Sequence, residues 1–177
     1  MKRMLEIGVA TGIPLKSINS KLKDVQITAI DIDPDYIKKA NQVLKNEDNI
    51  EVKLMDFYDS PQLKQSYDTL VFGSSFMLMP DQKRALEVAR RISSTDAKVY
   101  FLLTLYSPGS KYQMLEKIKP VLKNYTSVDF GKLIYEDEFE RTLKENKLRI
   151  IQKLRVFRPF NVPLNVFRFF CVECEFI

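Results

Sequence analysis

The stretch Glu6 to Pro14, EIGVATGIP, sets Gly8, Ala10 and Gly12 at alternate positions between a short apolar run and a proline that can open a helix. Small residues in such a loop let backbone approach a ligand closely, and the unpaired N–H groups of a helix start favour negative or polar oxygens. Asp31 follows Gly12 by nineteen residues, near the spacing at which an acidic side chain reaches ribose hydroxyls. Asp56 is a second carboxylate that can accept hydrogen bonds, and Phe57 beside it is a ring that can pack on a flat base. Gly73 to Pro80, GSSFMLMP, is a further polar and apolar loop of the same kind. Together these residues suit a nucleotide-like ligand held by backbone and carboxylates. A plainer reading stays open, in which Gly8 and Gly12 shape a turn, Asp31 and Asp33 cap a helix, Asp56 ends a strand, and Met77 and Met79 serve packing. A nicotinamide cofactor is disfavoured, because Ile13 stands where a dinucleotide fingerprint has its third glycine.

These residues can act together only if the chain brings them to one edge. Apolar runs predict strands over 4–8, 26–31, 50–55, 69–73, 98–104, 149–156 and 166–177, and helical spacing predicts helices over 14–23, 34–46, 81–92, 111–124 and 135–146. Pro14 and Pro34 suit first helical turns, Asp33 suits an N-cap, and Pro80-Asp81 opens the third helix. Strict alternation of strand and helix implies an α/β fold with a mainly parallel sheet and helices on both faces. In such a sheet the crevice lies at the carboxyl ends of the strands, where Gly8, Asp31, Asp56 and Ser74 all fall. Residues 157–165 are too few for a parallel crossover, so the last two strands should pair antiparallel.

Length and composition fit one folded domain spanning 1–177: the chain is 45% hydrophobic with apolar residues along its whole length. A net charge of +5 is a weak attraction to anions, and mixed-sign segments such as KNEDNIEVK give no strong nucleic-acid or membrane signal. The start, MKRMLEIG, has no apolar signal region, and the expectation is a soluble intracellular protein. Cys171 and Cys174 form a lone CxxC in a chain without histidine, which leaves no obvious metal set. On a strand, a spacing of three turns the two thiols to opposite faces, so they read as structural.

The motifs LEIGVATG, AIDIDPDYIKKA, VKLMDF and YDTLVFGSSFMLMPDQKRALEVARRI resemble, in order, the first four motifs of the class I S-adenosylmethionine-dependent methyltransferases. LIYEDEFERTLKENKLRIIQKLRV is similar to the late helix and sixth strand of small-molecule members. The resemblance implies a Rossmann-like seven-stranded sheet with an antiparallel C-terminal strand, and S-adenosylmethionine as cofactor. It also implies that Gly8, Ala10 and Gly12 lie against the methionine and ribose parts, with Glu6 at the base of the loop. Asp31 would bind both ribose hydroxyls, Ile32 would pack on adenine, Asp56 would accept from the adenine amino group with Phe57 nearby, and Ser74 would meet cofactor and substrate. Two departures stand out. Many members have a helical lid before the first strand, whereas this sequence starts almost at that strand; and SSTDAK replaces a Lys-Pro-Gly-Gly turn before the fifth strand.

Methyl transfer from a sulfonium is an in-line displacement that needs alignment and exclusion of water rather than a metal. With no histidine available, a base would have to be a carboxylate, Tyr58 or Tyr106, and none is singled out. GSSF after the fourth strand lacks the Asn/Asp-Pro-Pro-aromatic signature of amino-methylating enzymes, leaving a small molecule or a protein side chain as methyl acceptor. The competing expectation is a catalytically inactive methyltransferase-like subunit or interaction module, with a protein partner covering the open cofactor crevice.

Overall fold

The computed structural model describes residues 1–106, 133–156 and 168–177. Five parallel strands come first: β1 (Lys2–Ile7), β2 (Val25–Asp31), β3 (Ile50–Leu54), β4 (Tyr67–Gly73) and β5 (Ser93–Tyr106). A two-residue strand β6 (Ile134–Tyr135) pairs parallel with the end of β5, off the main path. β7 (Leu148–Arg155) and β8 (Arg168–Phe176) complete the order β3-β2-β1-β4-β5-β8-β7. β8 runs antiparallel to both neighbours, as the short connection requires. The expected seven-strand path is therefore present, with β6 as an addition.

Helices α1 (Ile13–Ile18), α2 (Pro34–Leu44), α3 (Gln82–Ile92) and α4 (Glu136–Glu145) follow β1, β2, β4 and β6. The sheet separates two cores. On one face Leu5, Ile7, Leu70, Phe72, Phe101 and Val172 pack with Ala85 and Leu86 of α3 and Phe139 of α4. On the other, Met4, Ile27 and Ala29 pack with Leu15 of α1 and Ala40 and Leu44 of α2. Alternation along each strand distributes the side chains, so Leu5 and Ile7 face one core while Met4 faces the other. The expected α/β architecture with helices on both faces is what forms.

Capping chemistry fixes where helices begin. The Asp33 carboxylate accepts from the N–H groups of Asp35 and Tyr36, and Asp81 accepts from Arg84 N–H. Two expectations change. The first helix closes at Ile18 into a 3-10 turn (Asn19–Lys21), because the buried Asn19 amide pairs reciprocally with Asn49, whose own Nδ2 also donates to the carbonyls of Leu22 and Val25. SSTDAK is not a turn but the start of β5: Ser93 Oγ donates back to the Ala89 carbonyl, and Ser94 Oγ donates to Asp68 beside a register shift in β4. The helix expected over 111–124 and the loop over 157–165 lie outside the described residues.

Arg90 at the end of α3 ties the chain terminus to α4. Its Nη2 donates to the carbonyls of Asn146 and Lys147, 2.9 and 3.0 Å away, while the guanidinium lies 4.6 Å from the centre of the Phe176 ring. Replacing Arg90 by Ala should lower stability in urea unfolding by about 1–2 kcal/mol, with Arg90→Lys recovering only part of the loss.

Candidate functional site

The carboxyl ends of β1, β2, β3 and β4 lie side by side, and the sequence-predicted residues gather there. The loop after β1 is built from left-handed backbone: Gly8, Ala10 and Gly12 have φ of 82°, 48° and 73°. This succession lets the chain leave β1 and turn into α1 within five residues. A Cβ on Gly8 would stand 2.8 Å from Ser75 Cβ, and one on Gly12 would stand 2.9 Å from Leu44 Cδ1. Ala10 has room for its methyl group but still bears the strain of φ near 50°, which costs an L-residue about 1–2 kcal/mol.

Asp31, the last residue of β2, offsets that strain. One carboxylate oxygen accepts from Ala10 N–H at 2.9 Å and the other from Asp33 N–H at 3.1 Å. A carboxylate has about four lone-pair positions. Each oxygen of the half-buried Asp31 thus keeps capacity for another donor. Asp31 thus takes a helix-entry role while keeping acceptor positions free.

Glu6 lies deeper. It precedes the last residue of β1 on the face shared with Asp31, and a Cβ on Gly73 would come within 2.7 Å of its Oε1. Its carboxyl is thus lodged against the end of β4. Burial pushes its pKa up to about 8, with no hydrogen bond or charge from the described residues to oppose it. Ser75 secures the same junction: its buried hydroxyl donates to the Ile7 carbonyl at 2.6 Å, joining the end of β4 to β1. Ser74 adopts φ of 63°, with its N–H directed to the carbonyls of Phe72 and Leu102.

The remaining residues divide. Ile32, just past β2, is 68% exposed and has a face open to a ligand. Asp56 caps the 3-10 turn Phe57–Leu63 by accepting from Tyr58 N–H through one oxygen. Phe57 is drawn inward: only 3% exposed, its ring meets Phe72 edge-on at 5.3 Å in the aromatic cluster beneath the sheet end. Its ring is a wall of the core rather than an open stacking surface, because the turn after Asp56 folds it under β4. The sequence reading did not single out Ile13, the first residue of α1, or Leu54, the last of β3, which are 60% and 57% exposed. A branched apolar residue between Gly12 and Pro14 was the available signal for Ile13. At six residues, α1 offers the unpaired N–H groups of its start but little helix dipole.

Of the candidate tyrosine bases, Tyr58 is not made more acidic. Tyr58 Oη donates to the Asp81 carbonyl, and burial raises its pKa. Tyr106 packs against the Tyr135 ring, and Tyr135 Oη is buried without a partner. Cys171 and Cys174 take opposite faces of β8, both as free thiols, and burial pushes Cys174 up to about 12. Such a thiol is inert packing material. No group of three or more metal-ligating side chains occurs among the described residues, and no helix among them is long and apolar enough to cross a membrane.

Two outcomes test this geometry. Gly8→Ala should destabilise the protein by about 2–4 kcal/mol through backbone strain and collision with Ser75, whereas Ala10→Gly should change stability by less than about 1 kcal/mol. Glu6 ionises near 4.5 in the unfolded chain and near 8 in the folded protein. The unfolded state therefore binds fewer protons between those values, so the Glu6 contribution to stability falls as pH rises through that window and levels off above it. Urea unfolding at a series of pH values should show Glu6→Gln gaining on wild type between pH 5 and 8 by a few kcal/mol.

The geometry agrees with what known proteins show. Residues 4–96 match the family model described as "Methyltransferase domain". A malonyl-[acyl-carrier protein] O-methyltransferase of Acetivibrio thermocellus is 33% identical over 78 residues, covering 44% of this chain and 27% of that protein. A second such enzyme, from Ilyobacter polytropus, is 20% identical over 167 residues, covering 88% and 63% respectively. The chain thus spans less than two thirds of either relative. Geranyl diphosphate C-methyltransferase from Streptomyces coelicolor A3(2), solved with Mg2+, geranyl diphosphate and S-adenosyl-L-homocysteine, superposes with a TM-score of 0.77 at 9% identity, covering 100% of this chain and 74% of that one. With the family model matched over more than half its length and the sheet order to go with it, the chain belongs to the methyltransferase domain family, the class I S-adenosylmethionine-dependent group.

Proposed function

We propose that the crevice binds S-adenosylmethionine and that the chain transfers its methyl group to a small molecule or a protein-borne group. The observation that carries this reading is Asp31: a strand-end carboxylate that holds the Ala10 and Asp33 N–H groups and keeps acceptor positions for a vicinal diol. Around it, Gly8, Ala10 and Gly12 would bring backbone against the ribose and methionine parts. Ile32, joined by Ile13 and Leu54, would cover the faces of adenine, and the second oxygen of Asp56 would take its amino group. Glu6 would sit at the base of that loop, and Ser74 would meet both cofactor and acceptor. S-adenosylmethionine supplies an electrophilic methyl carbon and a neutral thioether leaving group. What these residues contribute is alignment and exclusion of water.

The relatives are named for O-methylation of a malonyl group on an acyl-carrier protein. That supports an oxygen acceptor, and a carboxylate would suit this chain for a physical reason. A carboxylate is already ionised at neutral pH and needs no base. This chain has no histidine, and the Tyr58 hydroxyl is occupied. A second reading, an inactive subunit whose crevice is covered by a protein partner, draws on the same exposed Ile13, Ile32 and Leu54.

Titration calorimetry should detect S-adenosylmethionine binding, and Asp31→Ala should weaken it at least about tenfold, checked against the folded state of the variant by circular dichroism. Folded wild-type protein without binding at millimolar cofactor contradicts the reading. Methyl transfer to a carboxylic acid would separate the enzyme from the inactive subunit.

A further inference from the structure

We propose that the Tyr135 hydroxyl donates a hydrogen bond to an oxygen of the methyl acceptor, and that Tyr135 thereby selects an extended acid with a carbonyl group remote from the methylated end. The inference rests on the cofactor reading above and extends it to the acceptor's side of the crevice.

The topology puts Tyr135 over that crevice. β4 ends at Gly73, opposite Leu102, while β5 runs on to Tyr106. β8 takes one edge of this extension, pairing Phe169 with Thr104 and Arg168 with Leu105. β6 pairs with the same Leu105 through Ile134, and with Tyr106 through Tyr135. A strand has only two edges, so β6 lies along the one that β4 leaves free. It stands in line with β4, beyond Gly73 and Ser74, about 13 Å further along β5 at roughly 3.3 Å per residue. Leu105 and Ile134 are turned into the core shared with α3 and α4, so Tyr106 and Tyr135 are turned to the opposite face. That is the face of Glu6 and Asp31, whose chain neighbours Leu5, Ile7 and Ile30 also point into that core. The two tyrosine rings meet there, with centres 6.5 Å apart.

Tyr135 is partly exposed, yet its Oη is buried and has no hydrogen-bond partner among the described residues. Ser60 and Tyr67 carry the other such oxygens there, and both residues are wholly buried, at 1% exposure. Of the three, Tyr135 is the one that stands beyond the end of β4 on the crevice face. A buried hydroxyl without a partner is unfavourable in the free protein, and a phenylalanine would fill the space without that cost. An acceptor oxygen that reaches it gains a bond that no water has to surrender first. A carbonyl oxygen can only accept, so the tyrosine donates. The height of Tyr135 above Ser74 places the anchored oxygen far from the atom that takes the methyl group, which suits an extended acceptor rather than a short one.

Steady-state methyl transfer from S-adenosylmethionine to straight-chain keto acids of increasing length, each set against the plain acid of equal length, tests the assignment. Wild type should show a lower KM for the keto acid once the chain is long enough. Tyr135→Phe should raise that KM about five- to tenfold while kcat changes far less, so that the two acids become alike. The variant should unfold in urea at the wild-type midpoint or above it, and calorimetry should give it the wild-type affinity for S-adenosylhomocysteine. Equal KM values within every pair overturn the inference, as does a KM that Tyr135→Phe leaves in place. An unfolding midpoint clearly below wild type gives the hydroxyl a structural partner, and weaker S-adenosylhomocysteine binding gives it to the cofactor; either result overturns the inference. Transfer to none of these acids, with S-adenosylhomocysteine bound, overturns it and leaves the cofactor reading standing. Folded wild type that binds no S-adenosylhomocysteine overturns the cofactor reading, and the inference with it.

Discussion

The arrangement depends on one hydrogen-bonded carboxylate. Asp31 reaches from the end of β2 to the Ala10 N–H in the loop after β1 and to Asp33 at the entry of α2. That contact fixes a loop whose three alternate residues all have positive φ, two of them glycines and one an alanine. An alanine is tolerable there because its amide has a charged acceptor, and charge-assisted bonds are roughly twice as strong as neutral ones. Without Asp31 the Ala10 amide would lose its partner, leaving the turn to the bonds from Gly8 and Val9 N–H to the Ile30 carbonyl.

Around this anchor the strand ends are locked by a few close contacts. Ser75 donates to the Ile7 carbonyl, and Gly73 admits the Glu6 carboxyl. Both need missing side-chain volume at a neighbouring position, Gly8 in the first case and Gly73 itself in the second. The crevice floor is accordingly a packed junction of β1 and β4, stiffened from below by the Phe57, Phe72, Phe76 and Phe101 rings. A stiff floor with exposed apolar residues at its rim, Ile13, Ile32 and Leu54, is suited to gripping a flat, polar-edged molecule.

Much of this was legible in the sequence because it follows from local pattern. Short apolar runs marked the strands, Asp33 and Asp81 marked helix starts, and the short interval before the final strand required an antiparallel pair. Positions at strand ends could therefore be placed together before any coordinates. What escaped depends on contacts distant in sequence. The first helix was expected to run to Lys23, but Asn19 turns inward to meet Asn49, thirty residues away. The segment SSTDAK looked like a turn, yet Ser94 finds Asp68 across the sheet and becomes strand. The ring of Phe57 looked available to a base, but the turn capped by Asp56 rotates it into the core. Each miss is a tertiary partner that periodicity does not encode.

On the proposed reading, Asp31 serves backbone and ligand at once. A crystal structure with S-adenosylhomocysteine tests it most directly. The account predicts both ribose hydroxyls within hydrogen-bond distance of the Asp31 carboxylate, with the Ala10 N–H bond retained. A ligand bound elsewhere, or with its ribose turned away from Asp31, would contradict it.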